Sequence, residues 1–307
     1  MESNCWPVVT LGVFDGIHKG HLRVINKTVN WAKEKNGKSI VMTFSMNPKA
    51  VLGVRPSSMI TSLEHRLNVF ESLGVDCTVV MEFNDDVANI AADKFVDNVL
   101  HKWIGIKGVV LGYNCSFGKN GTGDKGMVYM LADKYGYEVF SCDPVKLDND
   151  IISSTLVRKA VMTGDFKRAE EMLGRPVTIL GTVVSGSQRG GKVLFPTANL
   201  NLHHEVMPPG GVYGTSARLH GKDFYAITNI GKRPTFEAEL IIENGYLETV
   251  VEVHILDFSD SIYGQDLEVK FLCKIRDEKK FDSANELKIQ IEKDKETFME
   301  YVKAHGL

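Results

Sequence analysis

Val8-Val9-Thr10-Leu11-Gly12-Val13-Phe14-Asp15-Gly16-Ile17-His18-Lys19-Gly20-His21 decides the fold of the first half of this chain. The apolar run Val8–Leu11 reads as a buried strand, and a helix-period segment, His21–Glu34, follows the glycines. Two histidines three positions apart, with Gly20 directly before the second, fall where a parallel sheet hands the chain to a helix N-terminus. An open α/β fold binds phosphates there, because orphan backbone N–H groups and the helix dipole both face an anion. Transfer of a nucleotidyl group needs no covalent chemistry from the protein. Charge builds on the oxygens of an attacked α-phosphorus, and positioned donors stabilise it. His18 and His21 can donate to those oxygens, and Gly16 and Gly20 let the backbone come close without a Cβ.

Working outward, strand-like segments Ser39–Phe44, Cys77–Met81, Gly108–Gly112 and Tyr137–Ser141 alternate with helical patterns at Ser62–Ser72, Ala91–Ile104 and Met127–Lys134. That rhythm predicts βαβ units around a parallel sheet. From Val177 the rhythm changes to successive strands, Val177–Val184, Val212–Leu219, Phe224–Ile230, Val250–Leu256 and Leu267–Ile275, without long helices. An antiparallel barrel or sandwich is expected. In the last strand, alternation puts Val269, Phe271, Cys273 and Ile275 on one face. An amphipathic helix, Ser283–Val302, closes the chain with Leu287, Ile291, Phe298 and Val302 on its apolar face and a capping box at Ser283 and Glu286. Leu173-Gly174-Arg175-Pro176 stops a helix and predicts two domains, residues 1–174 and 175–307.

Composition fits this picture. The chain has 307 residues, 43% hydrophobic and 24% charged, which suits two globular domains. A net charge of −3 gives no electrostatic case for a nucleic-acid partner. No apolar run approaches a membrane span, and no secretory signal is read at the N-terminus. Five scattered cysteines predict reduced thiols and a cytoplasmic protein.

Ile152-Ser153-Ser154-Thr155-Leu156-Val157-Arg158 adds a second anion site. Ser153 or Ser154 caps a helix that carries an arginine one turn in. Together with His-x-Gly-His, this segment resembles the adenylyltransferases that form pantetheine, nicotinamide and flavin cofactors. The longer match is narrower. Gly12–His21, Thr43–Pro48, Gly112–Gly118 and Ile152–Arg158 resemble four motifs of prokaryotic FAD synthetases. The resemblance implies a Rossmann-like nucleotidyltransferase domain with a parallel sheet. Its ATP and FMN site would be lined by Gly12, Phe14, Asp15, Gly20, Asn47, Asn114, Ser153, Ser154 and Thr155, with His18, His21 and Arg158 catalytic.

In the second half, the glycine-rich run Gly186–Lys192 and Phe195-Pro196-Thr197-Ala198-Asn199-Leu200 resemble riboflavin kinases. So do Gly211-Val212-Tyr213, Asn229–Phe236, Ile262-Tyr263-Gly264 and Ile275-Arg276. The resemblance implies an antiparallel six-stranded-type β-barrel with a C-terminal helix. It implies Mg²⁺ on Thr197 and Asn199, whose oxygens suit a hard cation. It also implies ATP or flavin contacts from Gly186, Arg189, Gly190, Lys192, Pro196, Asn229, Arg233, Tyr263 and Arg276. Glu252, in Val251-Glu252-Val253-His254, matches the family's proposed base for the ribityl hydroxyl. The whole resemblance is to bifunctional riboflavin kinase/FAD synthetases. It implies riboflavin, FMN, FAD, ATP and pyrophosphate as substrates and products, and neither nucleic acid nor membrane as partner.

Three residues depart from the family pattern: Asn47 for histidine, Cys115 for phenylalanine and Leu194 for glycine. They motivate a second expectation, that one half is weakened and serves as a flavin-binding or regulatory module. Leu194 places that expectation first on the kinase half.

Overall fold

The computed structural model describes residues 5–48, 58–184, 197–202, 205–232 and 249–307. It divides into two compact units, Met1–Arg158 with Glu171–Gly174, and Lys159–Glu170 with Arg175–Leu307.

In the first unit the order is β1 (Pro7–Leu11), α1 (Lys19–Glu34), β2 (Lys38–Phe44), α2 (Leu63–Ser72), β3 (Cys77–Met81), the π-helical α3 (Phe95–Ile104), β4 (Gly108–Leu111), α4 (Lys125–Tyr135) and β5 (Glu138–Ser141). The five strands form one sheet, β3-β2-β1-β4-β5, and every pairing is parallel. Central strands of such a sheet are buried on both faces. Accordingly Val9, Ile40 and Val109, in register, pack into one apolar cluster. Their neighbours Val8, Val41 and Val110 pack into another on the opposite face with α1. Strand order reverses at β1, so the loop after β1 leaves from the topological switch point, where open α/β sheets bind ligands. The helix predicted over Ala91–Ile104 is present and continuous from Ala92, with Ala92–Lys94 wound as an α-helix and Phe95–Ile104 as a π-helix, ending at left-handed Gly105.

The chain continues through α5 (Ser154–Thr163) and α6 (Phe166–Leu173). The strands that follow are β6 (Thr178–Val184), β7 (Ala198–Leu202), β8 (Gly211–Leu219), β9 (Lys222–Lys232), β10 (Thr249–Ile255) and β11 (Asp266–Arg276), and α7 (Ala284–His305) ends the chain. The six strands close into an antiparallel barrel, β6-β7-β10-β9-β8-β11, with β11 returning to β6. Of the two architectures open to the periodicity, the barrel is the one adopted. Phe166 stacks on Phe271 (5.5 Å) and meets Tyr213 edge-on (5.7 Å), so the α5–α6 segment contributes to the barrel's aromatic packing.

The predicted face of the last strand is corrected. Register slips between Val212 and Tyr213 and between Gly214 and Thr215 leave Ile275 and Leu272 as extra residues on β11. Each bulge flips the alternation. Phe271 therefore packs with Tyr213, whereas Cys273 and Ile275 pack with Phe298 and Val302 of α7. Gly214 makes room for that helix, since a Cβ there would overlap the Phe298 ring. The cap of α7 is also adjusted. Ser283 Oγ accepts from Glu286 N (3.2 Å), but the Glu286 carboxylate accepts from Asp282 N (3.4 Å) rather than closing on Ser283.

Candidate active sites

The first site is the loop between β1 and α1. Phe14 (φ 53°), Gly16 (φ 80°) and Ile17 (φ 40°) all have left-handed backbones, an unfavourable conformation for a β-branched residue such as Ile17. The surroundings over-determine it. Asp15, 5% exposed, accepts from Ile60 N (2.7 Å) and Thr61 N (3.2 Å) on one oxygen and from Arg158 Nη2 (2.6 Å) on the other. Burial pushes the Asp15 carboxyl above its ordinary 3.8, against the opposing pull of Arg158, those two amides and Arg66. Gly16 N donates to Thr61 Oγ1 (3.0 Å), and Ser154 Oγ donates to the Asp15 carbonyl (2.9 Å). The two motifs that the sequence set far apart are thus joined through Asp15.

His18 is the N-cap of α1, and its Nδ1 accepts from His21 N (3.3 Å). An accepting Nδ1 leaves the ring hydrogen of neutral His18 on Nε2. The His18 and His21 rings stack at 3.7 Å, and His21 meets the buried Phe14 ring edge-on at 5.3 Å. The space beside His18 exists because Gly20 lacks a Cβ: one would stand 3.0 Å from the imidazole. Two imidazoles are therefore fixed side by side at a helix N-terminus, an arrangement that can donate hydrogen bonds to phosphoryl oxygens.

Gly12 lies under the Phe14 ring, Ser153 caps α5 through Leu156 N (3.4 Å), and Asn47 is half-buried. Asn114 and Thr155 are exposed. Arg158 also donates from Nε to Ser58 O (3.0 Å), so its guanidinium is engaged on two sides. Cys115 packs against the core around α3, and burial pushes its thiol up to about 11.

The second site is on the barrel. Glu252 of β10 lies in register with Asn199 of β7 on one side and Asn229 of β9 on the other. Cross-strand partners share a face, so a carboxylate is flanked by two carboxamides in one row. All three residues are half-buried. Val251 and Val253 alternate to the opposite, fully buried face. A cleft of about 210 Å³ has Thr197 and Tyr263 in its lining and is walled by Val253 and Ile255, from the face of β10 opposite Glu252. Arg276 points its guanidinium elsewhere: Nε and Nη2 hold the buried Asp294 of α7 at 2.8–3.0 Å. Gly186, Arg189, Gly190, Lys192, Pro196 and Arg233 lie outside the described residues, as does Leu194.

With this geometry in place, comparison with known proteins is direct. A family model described as FAD synthetase matches residues 1–156, and one described as riboflavin kinase matches residues 173–302. A bifunctional riboflavin kinase/FMN adenylyltransferase of Haemophilus influenzae is 37% identical over 291 residues, 94% of this chain and 92% of that protein. The chain belongs to the bifunctional riboflavin kinase/FMN adenylyltransferase family. The Bacillus subtilis member is 35% identical over 98% of this chain and 94% of its own length. A Streptococcus pneumoniae crystal structure described as a macrolide-efflux protein superimposes with a TM-score of 0.78 at 31% identity, covering 97% of this chain and 95% of that one. Among the described residues of this family member, no helix is long and apolar enough to cross a membrane.

Two site elements escaped the sequence reading of this riboflavin kinase/FMN adenylyltransferase. Strand β7 was legible in Ala198-Asn199-Leu200-Asn201-Leu202, where apolar and polar residues alternate, but its residues read as a metal-binding tract. Arg66, a fully buried residue of α2 that contacts the first loop, carries no local signal: a basic residue on a helix is ordinarily solvated.

Proposed function

We propose that this chain makes FAD from riboflavin in two ATP-dependent steps, one in each half. The barrel half, residues 175–307, transfers the γ-phosphoryl group of ATP to a ribityl hydroxyl of riboflavin, giving FMN. The α/β half, residues 1–174, lets an FMN phosphate oxygen attack the α-phosphorus of ATP, giving FAD and pyrophosphate. The observation that carries the reading is the presence on one chain of both a stacked histidine pair at a helix N-terminus and a carboxylate set between two asparagines.

In the kinase step, Glu252 orients the hydroxyl and takes its proton, while Asn199 and Asn229 hold hydroxyl and phosphate oxygens around it. The donor set fits Mg²⁺ bound with ATP. Thr197 and Asn199 stand two apart in the chain and offer neutral oxygens of the kind a hard cation takes. The Thr197 hydroxyl and Asn199 carbonyl would supply them, and the ion would neutralise charge on the phosphates.

In the adenylyl step, His18 and His21 donate to the oxygens on which charge develops, with Nε2 of His18 as its donor atom. The N-terminal amides of α1 and α5 face the same phosphates. Asp15 and Arg158 hold those two helix starts together, so Arg158 acts on geometry as well as charge. A reducing, cytoplasmic setting accords with the five free cysteines.

Purified protein given riboflavin, ATP and Mg²⁺ is expected to yield FMN and then FAD, resolved by chromatography. Absence of both products overturns the reading.

A further inference from the structure

Arg66 is 0% exposed, yet among the described residues its four hydrogen bonds all go to neutral oxygens. Nη1 donates to Val13 O (2.7 Å) and Thr43 Oγ1 (2.7 Å), Nη2 to Phe44 O (3.0 Å) and Nε to Ser62 O (3.3 Å). Thr43 Oγ1 in turn donates to the same Val13 carbonyl (3.1 Å). Asp15 and Glu64 act on the guanidinium through charge, and the Asp15 carboxylate itself bonds to Arg158. A guanidinium in this setting carries a large desolvation cost, and an apolar side chain would serve stability as well or better. Its contacts show what it does instead. Two of them meet at the peptide between Val13 and Phe14, directly from Nη1 and through Thr43 Oγ1, while the bonds to Phe44 O and Ser62 O anchor the guanidinium to β2 and to the start of α2; that peptide precedes the left-handed φ of Phe14. The Phe14 ring meets His21 edge-on, and His21 stacks on His18.

We propose that Arg66 is a positioning residue for adenylyl transfer, fixing the Val13–Phe14 peptide so that Phe14 holds His21 and His18 in their stacked pose. This rests on the reading of the first half as the FMN adenylyltransferase. Arg66 touches no substrate. Its effect falls on transition-state stabilisation by the histidines, and so on kcat more than on KM.

The test compares Arg66→Met, Arg66→Lys and Thr43→Val in two assays on each preparation, FAD from FMN and ATP, and FMN from riboflavin and ATP. Thermal unfolding is followed in parallel. Displacement of a catalytic group by about 1 Å costs roughly 10²-fold in rate, so Arg66→Met should lose kcat for FAD on that scale. Its KM values and its FMN formation should remain near wild type. Arg66→Lys keeps one charged donor for Val13 O and should recover part of the loss. Thr43→Val keeps the side-chain shape and removes two hydrogen bonds, the one accepted from Arg66 and the one donated to Val13 O, and should lower kcat at least about fivefold. It decides the matter if Arg66→Met does not fold. Wild-type kcat in a folded Arg66→Met or in Thr43→Val overturns the proposal, as does a loss confined to KM. A wild-type chain that forms FMN but no FAD overturns instead the assignment on which the proposal rests.

Discussion

Gly20→Ala separates stability from chemistry in the first half. Gly20 is the second residue of α1, and the backbone there suits any residue. Alanine in a helix gains up to about 1 kcal/mol over glycine. The added Cβ would stand 3.0 Å from His18 Cε1 and 3.1 Å from Nδ1. Contacts this short are tighter than ordinary van der Waals contact, so the ring must give by a few tenths of an ångström. That movement breaks its stack on His21 and the cap bond to His21 N, a loss of about 1 kcal/mol. The two stability terms nearly cancel. The rate term does not: a misplacement of about 1 Å costs roughly 10²-fold, and the smaller shift here costs roughly 3- to 10-fold. Gly20→Ala should therefore melt within a degree or two of wild type (about 2 °C at most for a near-zero net change). It should convert FMN to FAD more slowly by that factor and make FMN at the wild-type rate. Calorimetry and a steady-state pyrophosphate-release assay check both halves of the statement. A stable Gly20→Ala protein with wild-type FAD formation would refute the reasoning that His18 must hold this pose.

Three further outcomes follow from the packing. Asp294→Asn removes the buried carboxylate that holds the partly exposed Arg276 guanidinium and should cost the barrel about 1–2 kcal/mol; denaturant unfolding with an unchanged midpoint would count against it. Phe166→Ala removes a ring stacked on Phe271 and packed edge-on to Tyr213, at about 2–3 kcal/mol, and should lower the barrel's melting temperature while sparing FAD formation from FMN. Asp76 resists burial through hydrogen bonds from Lys38 Nζ (2.9 Å) and from Ser39, which hold its carboxyl down at about 2 against an ordinary 3.8. Its side chain is 30% exposed, so screening leaves about 1 kcal/mol. Because the folded value is the lower one, that stability is present above pH ~4 and is lost as pH falls towards 2. Asp76→Asn should thus be less stable than wild type at pH 7, with a gap that narrows on acidification, as followed by circular dichroism.

The fold was legible wherever local pattern and tertiary burial agree. The runs at Val8–Leu11 and Ser39–Phe44 became strands at those places, because central strands of a parallel sheet are buried on both faces and demand continuous apolar residues; Cys77–Met81 became the partly exposed edge strand beside them. It was illegible where one residue's position depends on a partner strand. The bulges at Leu272 and Ile275 come from the pairing of β8 with β11 and leave no mark in the β11 sequence, so Cys273 changed faces unannounced. The sites show the same division. Histidine spacing marks the anion-binding turn, and a serine next to an arginine marks a helix start. The register that sets Glu252 between Asn199 and Asn229 comes from residues dozens apart in sequence. Asp15 and Arg158, both expected at the substrate, proved to bind each other, and Arg276 proved to bind Asp294. A charged side chain in sequence does not disclose whether its partner is a ligand or another part of the chain.

The central claim is that one chain holds two separate catalytic sites, and two variants measured side by side test it most directly. Each is given riboflavin with ATP and Mg²⁺, and separately FMN with ATP and Mg²⁺, and products are resolved over time. His21→Ala is expected to accumulate FMN without FAD, and Glu252→Gln to make no FMN yet still convert supplied FMN to FAD. Loss of both steps in either folded variant would contradict that claim.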